Sequence, residues 1–210
     1  VTIGTTQFAN AIVERRRLNR IAVLRMCLPA TTAIPPLTDW PADLREAVQP
    51  MTRMVGGGLE FDGRPIAALD EAAVASFARE AATTGITAFA VTAVFAALDS
   101  AMERRAAAII AEHCPGARVS LSHEIGRIGL LERENAAILN AALIRLAALT
   151  IESFAGALRA SGIAAPLYIT QNDGTVMQAE RAVRQPILSF ASGATNSMRG
   201  AAALSGLQDA

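Results

Sequence analysis

Two short stretches of the chain carry side chains suited to moving protons. In "QNDGT" (171–175), Asp173 stands between the amide Asn172 and Gly174. A carboxylate so placed suits a general base or the holding of a magnesium-bound water; Gly174 lets a ligand approach the backbone and Thr175 adds a hydroxyl. The same Asn-Asp-Gly run is also ordinary turn chemistry. In "SHEIGRIGLLEREN" (122–135), His123 adjoins Glu124, and a histidine beside a carboxylate can transfer protons near neutral pH. The alternative is a helix entry whose acids, Glu132 and Glu134, complement the helix dipole.

Two further stretches offer groups for an anion. "IGTTQFANAIVERR" (3–16) begins with Gly4, Thr5 and Thr6 and continues as an amphipathic helix with Asn10 in its first turns. Free NH groups at such a helix start can bind an anion, or Thr5 or Thr6 can cap them. "ILSFASGATNSMRGAAALSG" (187–206) reads as a strand, a turn containing Gly193, Thr195 and Asn196, and a small-residue helix from Asn196. Strand, glycine turn and helix together are a common way of holding phosphate.

The elements that must position these groups alternate along the chain. Strands are expected at 21–28, 86–95, 117–122, 166–170 and 187–190. Helices are expected from the Asp70 cap to about Thr84 with Gly85 as the stop, from Asp99 to about His113, over 131–160, and near 175–184. The segment 51–69 reads as a hairpin turning at Asp62-Gly63, with Gly56-Gly57-Gly58 as a bend, and residues 29–69 as a small appended unit. Strand-helix repetition implies an α/β fold with a largely parallel sheet flanked by helices. Ligands of such sheets sit at the carboxyl ends of strands, which selects the loops after 121, 170 and 190.

At 210 residues the chain is long enough for a real core, and 52% hydrophobic against 18% charged residues argues for order. Nineteen basic residues balance nineteen acidic ones, so no net field draws the chain to nucleic acid or an anionic membrane. Aromatics, at 4%, supply no stacking platform for bases. The most apolar stretch, 136–151, is broken by Asn140 and Arg145 and is short for a bilayer span, so it reads as a buried helix. Cys27 and Cys114 are far apart and, with His113 and His123, match no zinc spacing; buried thiols in a reducing, cytoplasmic compartment are expected. The chain has no GxxxxGK[ST], GxSxG or HExxH motif, which disfavours a P-loop ATPase, a serine hydrolase and a zinc protease.

Taken together, "IGTTQFANAIVERR", "RIAVLRMCLPAT", "GGGLEFDGRPIAALD", "VSLSHEIGRIGLLERENAAILNAAL", "PLYITQNDGTVM" and "SFASGATNSMRGAAALSG" make the chain resemble the hydantoinase/oxoprolinase family nearly end to end. It is most similar to the ATP-dependent N-methylhydantoinase A-type subunits, with 5-oxoprolinase and the acetone carboxylase β-subunit as wider relatives. The resemblance implies an actin-like ATPase fold, the use of ATP and Mg²⁺ to activate a cyclic amide for ring opening, and a hydantoinase B-type partner subunit. It also implies that the whole of 1–210 is a first-lobe fragment between two aspartate-glycine-glycine-threonine phosphate loops, inactive alone, with 193–206 as a hinge helix. Two positions depart from the family pattern: Gln7 stands where histidine is usual and Ala194 where proline is usual.

On this reading Asp173 is the principal catalytic carboxylate and magnesium ligand, His123 and Glu124 are further catalytic candidates, and Gly4, Thr5, Thr6, Asn10, Asn172, Gly174, Thr175, Gly193, Thr195 and Asn196 face the nucleotide. Two rivals to a ring-opening hydrolase are an ATP-dependent carboxylase subunit and a non-catalytic assembly module using the helix over 131–160.

Overall fold

A computed structural model describes residues 1–206, which fall into two compact units. One unit is Leu18–Ala142. Its sheet has four parallel strands in the order β3-β2-β4-β5, namely β2 (Ile21–Leu28), β3 (Met51–Gly56), β4 (Ala88–Ala93) and β5 (Arg118–Leu121). Strand residues alternate between two cores, as the pleat requires. Ala22, Leu24, Met26, Phe89 and Val91 join Phe77 of α3 (Glu71–Thr83) and Ile110 of α4 (Ala101–His113) on one face. Ile21, Val23, Ala88 and Ala90 join Val48 of α2 (Ala42–Val48) and Ala137, Ile138 and Ala141 of α5 (Leu130–Ala160) on the other. Both faces being covered explains why β2 and β4 read as apolar runs interrupted only by Arg25 and Thr92, both buried.

The other unit comprises Val1–Arg17 and the chain from Leu143 onward. It holds a second sheet of β1 (Thr2–Ile3), β6 (Tyr168–Thr170) and β7 (Val176–Gln178), with β1 parallel and β7 antiparallel to the central β6. Ile151 from α5, Ile169, Met177, Ala179 and Ala182 make its core, with Ile3, Leu167 and Leu188 packed against it. The remaining helices are α1 (Gln7–Val13), α6 (Ala179–Arg184) and α7 (Ser192–Ser205).

The chain is thus a mixed α/β protein with a parallel sheet and flanking helices, but its strands divide between two sheets. Several local expectations are corrected. Met51–Gly56 pairs in parallel with β2, so the hairpin shrinks to one antiparallel bridge, Leu59 to Pro65, around the Asp62-Gly63 turn. Segment 29–69 is no appendage, because it supplies α2 and the edge strand β3 of the main sheet. The helix expected near 175–184 begins only at Ala179, after β7. "ILSF" is not a strand: Pro186–Ser189 forms a 3₁₀ turn opened by buried Pro186, whose fixed φ and missing NH oppose pairing in a sheet. Consequently α7 starts at Ser192, four residues earlier than the sequence suggested, and most of "ASGATN" is its first turns.

Other punctuation falls as expected. Asp70 accepts from the Ala73 NH at 2.9 Å and caps α3, and Gly85 follows its end with φ +72°. Before α4 the cap residue itself is Ser100, while Asp99 accepts from the Ala101 NH at 2.8 Å. Gly57 and Gly58 make the bend with φ of +138° and +86°, and a Cβ at Gly58 would lie 2.9 Å from the Met26 carbonyl oxygen. Cys27 and Cys114 are free, buried thiols, and burial pushes both up from their ordinary pKa. By length and composition α5 could cross a membrane, but its Ala137, Ile138, Ala141 and Ala142 are fully buried against the parallel sheet, as in a core helix.

Candidate functional site

In the unit built on β1, β6 and β7, several expected site residues come together. Parallel pairing of Thr2–Ile3 with Tyr168–Ile169 brings Gly4 beside the end of β6. A Cβ on Gly4 would lie 3.0 Å from Asn196 Nδ2 and 3.3 Å from Thr170 Oγ1, so glycine leaves the room these two groups occupy. Asn196 donates through Nδ2 to Thr170 Oγ1 at 3.0 Å. One residue earlier on α7, Thr195 donates its hydroxyl to the Asn172 carbonyl at 2.8 Å, and Arg199 reaches the Gly174 carbonyl. The start of α7 is thereby tied to the "QNDGT" loop. Gly193 is adjacent, with a hypothetical Cβ 3.6 Å from the Thr6 methyl group. Ser192, the first residue of α7, is buried, and its hydroxyl is one of the buried side-chain atoms with no hydrogen-bond partner among the described residues.

Asp173 stands elsewhere than the strand-to-helix loop expected for it. "QNDGT" is the turn of the β6–β7 hairpin, with Gly174 at φ +82°, and Asp173 is exposed. Its Oδ1 accepts from the Thr175 NH at 2.9 Å and the Thr175 hydroxyl at 2.7 Å. The Thr175 hydroxyl, then its backbone NH, hold the carboxyl below its ordinary pKa. These are the bonds of a side chain fastening a turn. Among the described residues no three His, Cys, Asp or Glu side chains gather to hold a metal ion. Thr5 Oγ1 accepts from the Gln7 NH at 3.2 Å in a side-chain turn just before α1, the cap residue Thr6 makes no side-chain cap bond, and Asn10 is exposed on the seven-residue α1.

His123 and Glu124 belong to the Leu18–Ala142 unit, in a 3₁₀ turn directly after β5. The ring of His123 places Nδ1 2.6 Å from Oε2 of Glu103, a residue with no solvent exposure. Glu103 also accepts from the His123 NH at 3.1 Å, the Ala93 NH at 2.9 Å and the Ser122 hydroxyl. Ser122 in turn accepts from Arg133 Nε at 2.8 Å, and the buried Arg133 guanidinium donates through Nη1 to the carbonyl of Arg127 at 2.8 Å. Burial pushes the Arg133 pKa down, against the opposing pull of Glu103 and Glu134. A cleft of ≈ 450 Å³ lies beside the histidine, with Asp99, Arg104 and Arg127 in its wall.

Sequence reasoning passed over Glu103, Thr170 and Arg199. For Glu103 a signal existed. On α4 the inward face carries Glu103, Ala106 and Ile110, so helical spacing puts a carboxylate where a core side chain belongs. A buried carboxylate demands partners, which here are Ala93, Ser122 and His123.

An α/β/α parallel sheet with polar groups gathered at strand ends is the frame of many ligand-binding proteins, and sequence comparison narrows it. The "Hydantoinase/oxoprolinase N-terminal region" model matches residues 1–114 and the "Hydantoinase/oxoprolinase" model residues 133–210. The chain belongs to the hydantoinase/oxoprolinase family. Among solved structures it is similar to the ATP-dependent caprolactamase from Pseudomonas jessenii, with TM-score 0.73 and 22% identity over 90% of this chain and 29% of that one. It is also similar to a nucleotide-free acetone carboxylase structure, with TM-score 0.73 and 14% identity over 98% of this chain and 32% of that one. The chain therefore spans about a third or less of the proteins whose fold it shares. No curated protein matches it.

Proposed function

We propose that this chain is part of a cytoplasmic, ATP-dependent cyclic amidase of the N-methylhydantoinase A type, with an actin-like fold, opening hydantoin-like or 5-oxoproline-like rings together with a B-type partner subunit. The observation that carries this reading is the succession of two family models over nearly the whole chain. Similarity to a caprolactamase described as ATP-dependent supports the amide class. ATP, when bound, would supply the activation of the ring carbonyl.

The chain's own residues suit two tasks. Gly4, Thr170, Thr195 and Asn196, with the start of α7, form a compact polar cluster of the kind that positions a phosphate-bearing ligand. Mg²⁺ fits only as a cation carried on the nucleotide's phosphates, with Asp173 as a single carboxylate near that cluster, because no dedicated metal cage exists among the described residues. Proton transfer falls to His123, which has a buried carboxylate behind it and a cleft before it.

The test is phosphate release by the intact protein with its partner subunit, offered hydantoins, 5-oxoproline and lactams in one arm and ketones with bicarbonate in the other. Release that depends on a cyclic amide supports the reading. Release only with ketone and bicarbonate would replace it with the carboxylase reading, which the acetone carboxylase similarity favours.

A further inference from the structure

We propose that Glu103 is a positioning residue that keeps a proton on His123 Nδ1 and so presents Nε2, as the acceptor, to the adjoining cleft. The inference rests on the reading that His123 moves a proton. Its basis is the count of donors around one buried carboxylate. Glu103 is fully buried and receives four bonds, two on each oxygen: Ala93 NH and Ser122 OH on Oε1, His123 NH and His123 Nδ1 on Oε2. A carboxylate has about four lone-pair sites, so this one is filled.

With Glu103 ionised, each partner must donate. Ser122 can do so because its oxygen already accepts from Arg133 Nε, leaving its own hydrogen for Glu103. Nδ1 must therefore carry hydrogen whether the ring is neutral or charged, and the nitrogen that gains and loses a proton is Nε2. The side chain of His123 retains 17% exposure while Glu103 has none, and His123 lines the cleft together with Asp99, Ser100, Arg104 and Arg127. Charged groups near the ring include Glu103 from α4, Arg133 from α5 through Ser122, and Asp99, Arg104 and Arg127 in the lining of the cleft.

In the step this arrangement permits, an N–H or O–H bond of the bound ligand breaks and an Nε2–H bond forms. The electron pair stays on the ligand atom, Nδ1–H stays in place, and the new imidazolium faces the Glu103 charge. The ligand class is a neutral donor, a ring amide or the attacking water.

The test is the tautomer of His123 in the intact protein labelled with ¹⁵N-histidine, read by long-range proton–nitrogen correlation in alkaline buffer. The His123 signals are assigned by their loss in His123→Gln. A pyrrole-type Nδ1 and pyridine-type Nε2, giving way to a tautomer mixture in Glu103→Gln, is the expected result, with kcat on a cyclic amide falling ~10-fold or more and KM holding within a few-fold. Hydrogen on Nε2 in the wild-type ring, or an unchanged tautomer in Glu103→Gln, overturns the proposal. Should that variant fail to fold, the wild-type spectrum decides alone. The expected tautomer in a protein inactive on every cyclic amide would sink the functional reading and leave the Glu103 assignment standing.

Discussion

Arg25 of β2 and Glu134 of α5, 109 residues apart in the chain, form a buried ion pair with Nε 2.7 Å from Oε1. Arg25 also reaches the Ile34 carbonyl, so one guanidinium joins the strand, the long helix and the 29–41 connection. Removing one partner leaves a buried charge without its counterion, a loss of about 3–5 kcal/mol. Glu134→Ala should therefore lower the urea midpoint sharply. The double replacement Arg25→Met with Glu134→Leu should recover most of that stability, since buried pairs are often replaceable by apolar groups of similar volume. A double variant as unstable as the single one would show that the bonds to the connecting loop dominate.

Gly4→Ala should disturb the Asn196–Thr170 hydrogen bond, because the new methyl group would lie 3.0 Å from Asn196 Nδ2. The expected cost is about 0.5–1.5 kcal/mol, the net worth of one such bond. In a double-mutant cycle with Asn196→Ala the two losses should overlap instead of adding. Full additivity would mean that Gly4 acts through something other than this amide.

The turn at Asp173 gives a prediction with a sign. Its folded carboxyl sits below the ordinary value mainly because Thr175 donates its hydroxyl, so the charged form is favoured on folding. The resulting stability is present above the unfolded pKa and is lost as pH falls through the depressed folded one. Thr175→Val should move the Asp173 titration, followed by carboxyl-carbon NMR, back toward the ordinary range. An unmoved titration would assign the effect to the backbone NH instead.

Activity should separate the two candidate proton-transfer groups. Asp173→Asn keeps an oxygen able to accept from Thr175 and, with Mg²⁺ carried on the nucleotide's phosphates rather than on this side chain, should change turnover by only a few-fold. His123→Gln should cost ~10²–10⁴-fold in kcat. The opposite order would return the chemistry to the hairpin turn.

The sequence by itself determined the elements whose signals are local. Asp70 and Gly85 bracket α3 because a cap and a left-handed stop act within one turn of backbone, and Ile21–Leu28 reads as a strand because apolar β-branched runs favour a buried sheet. It also held the family resemblance, which both family models bear out. Pairing was not local, and only the tertiary structure decided it. Before "ILSF" Pro186 was a local warning against a strand, but nothing in "PLYIT" distinguishes a strand of the main sheet from the centre of a second sheet, since a short apolar run satisfies both and the partner strand makes the choice. The same holds for the sites: the neighbours of Asp173 in the chain did not show that it sits in a hairpin turn, and Glu103 meets Ser122 and His123, about twenty residues away, because burying a carboxylate requires donors that only folding brings within reach.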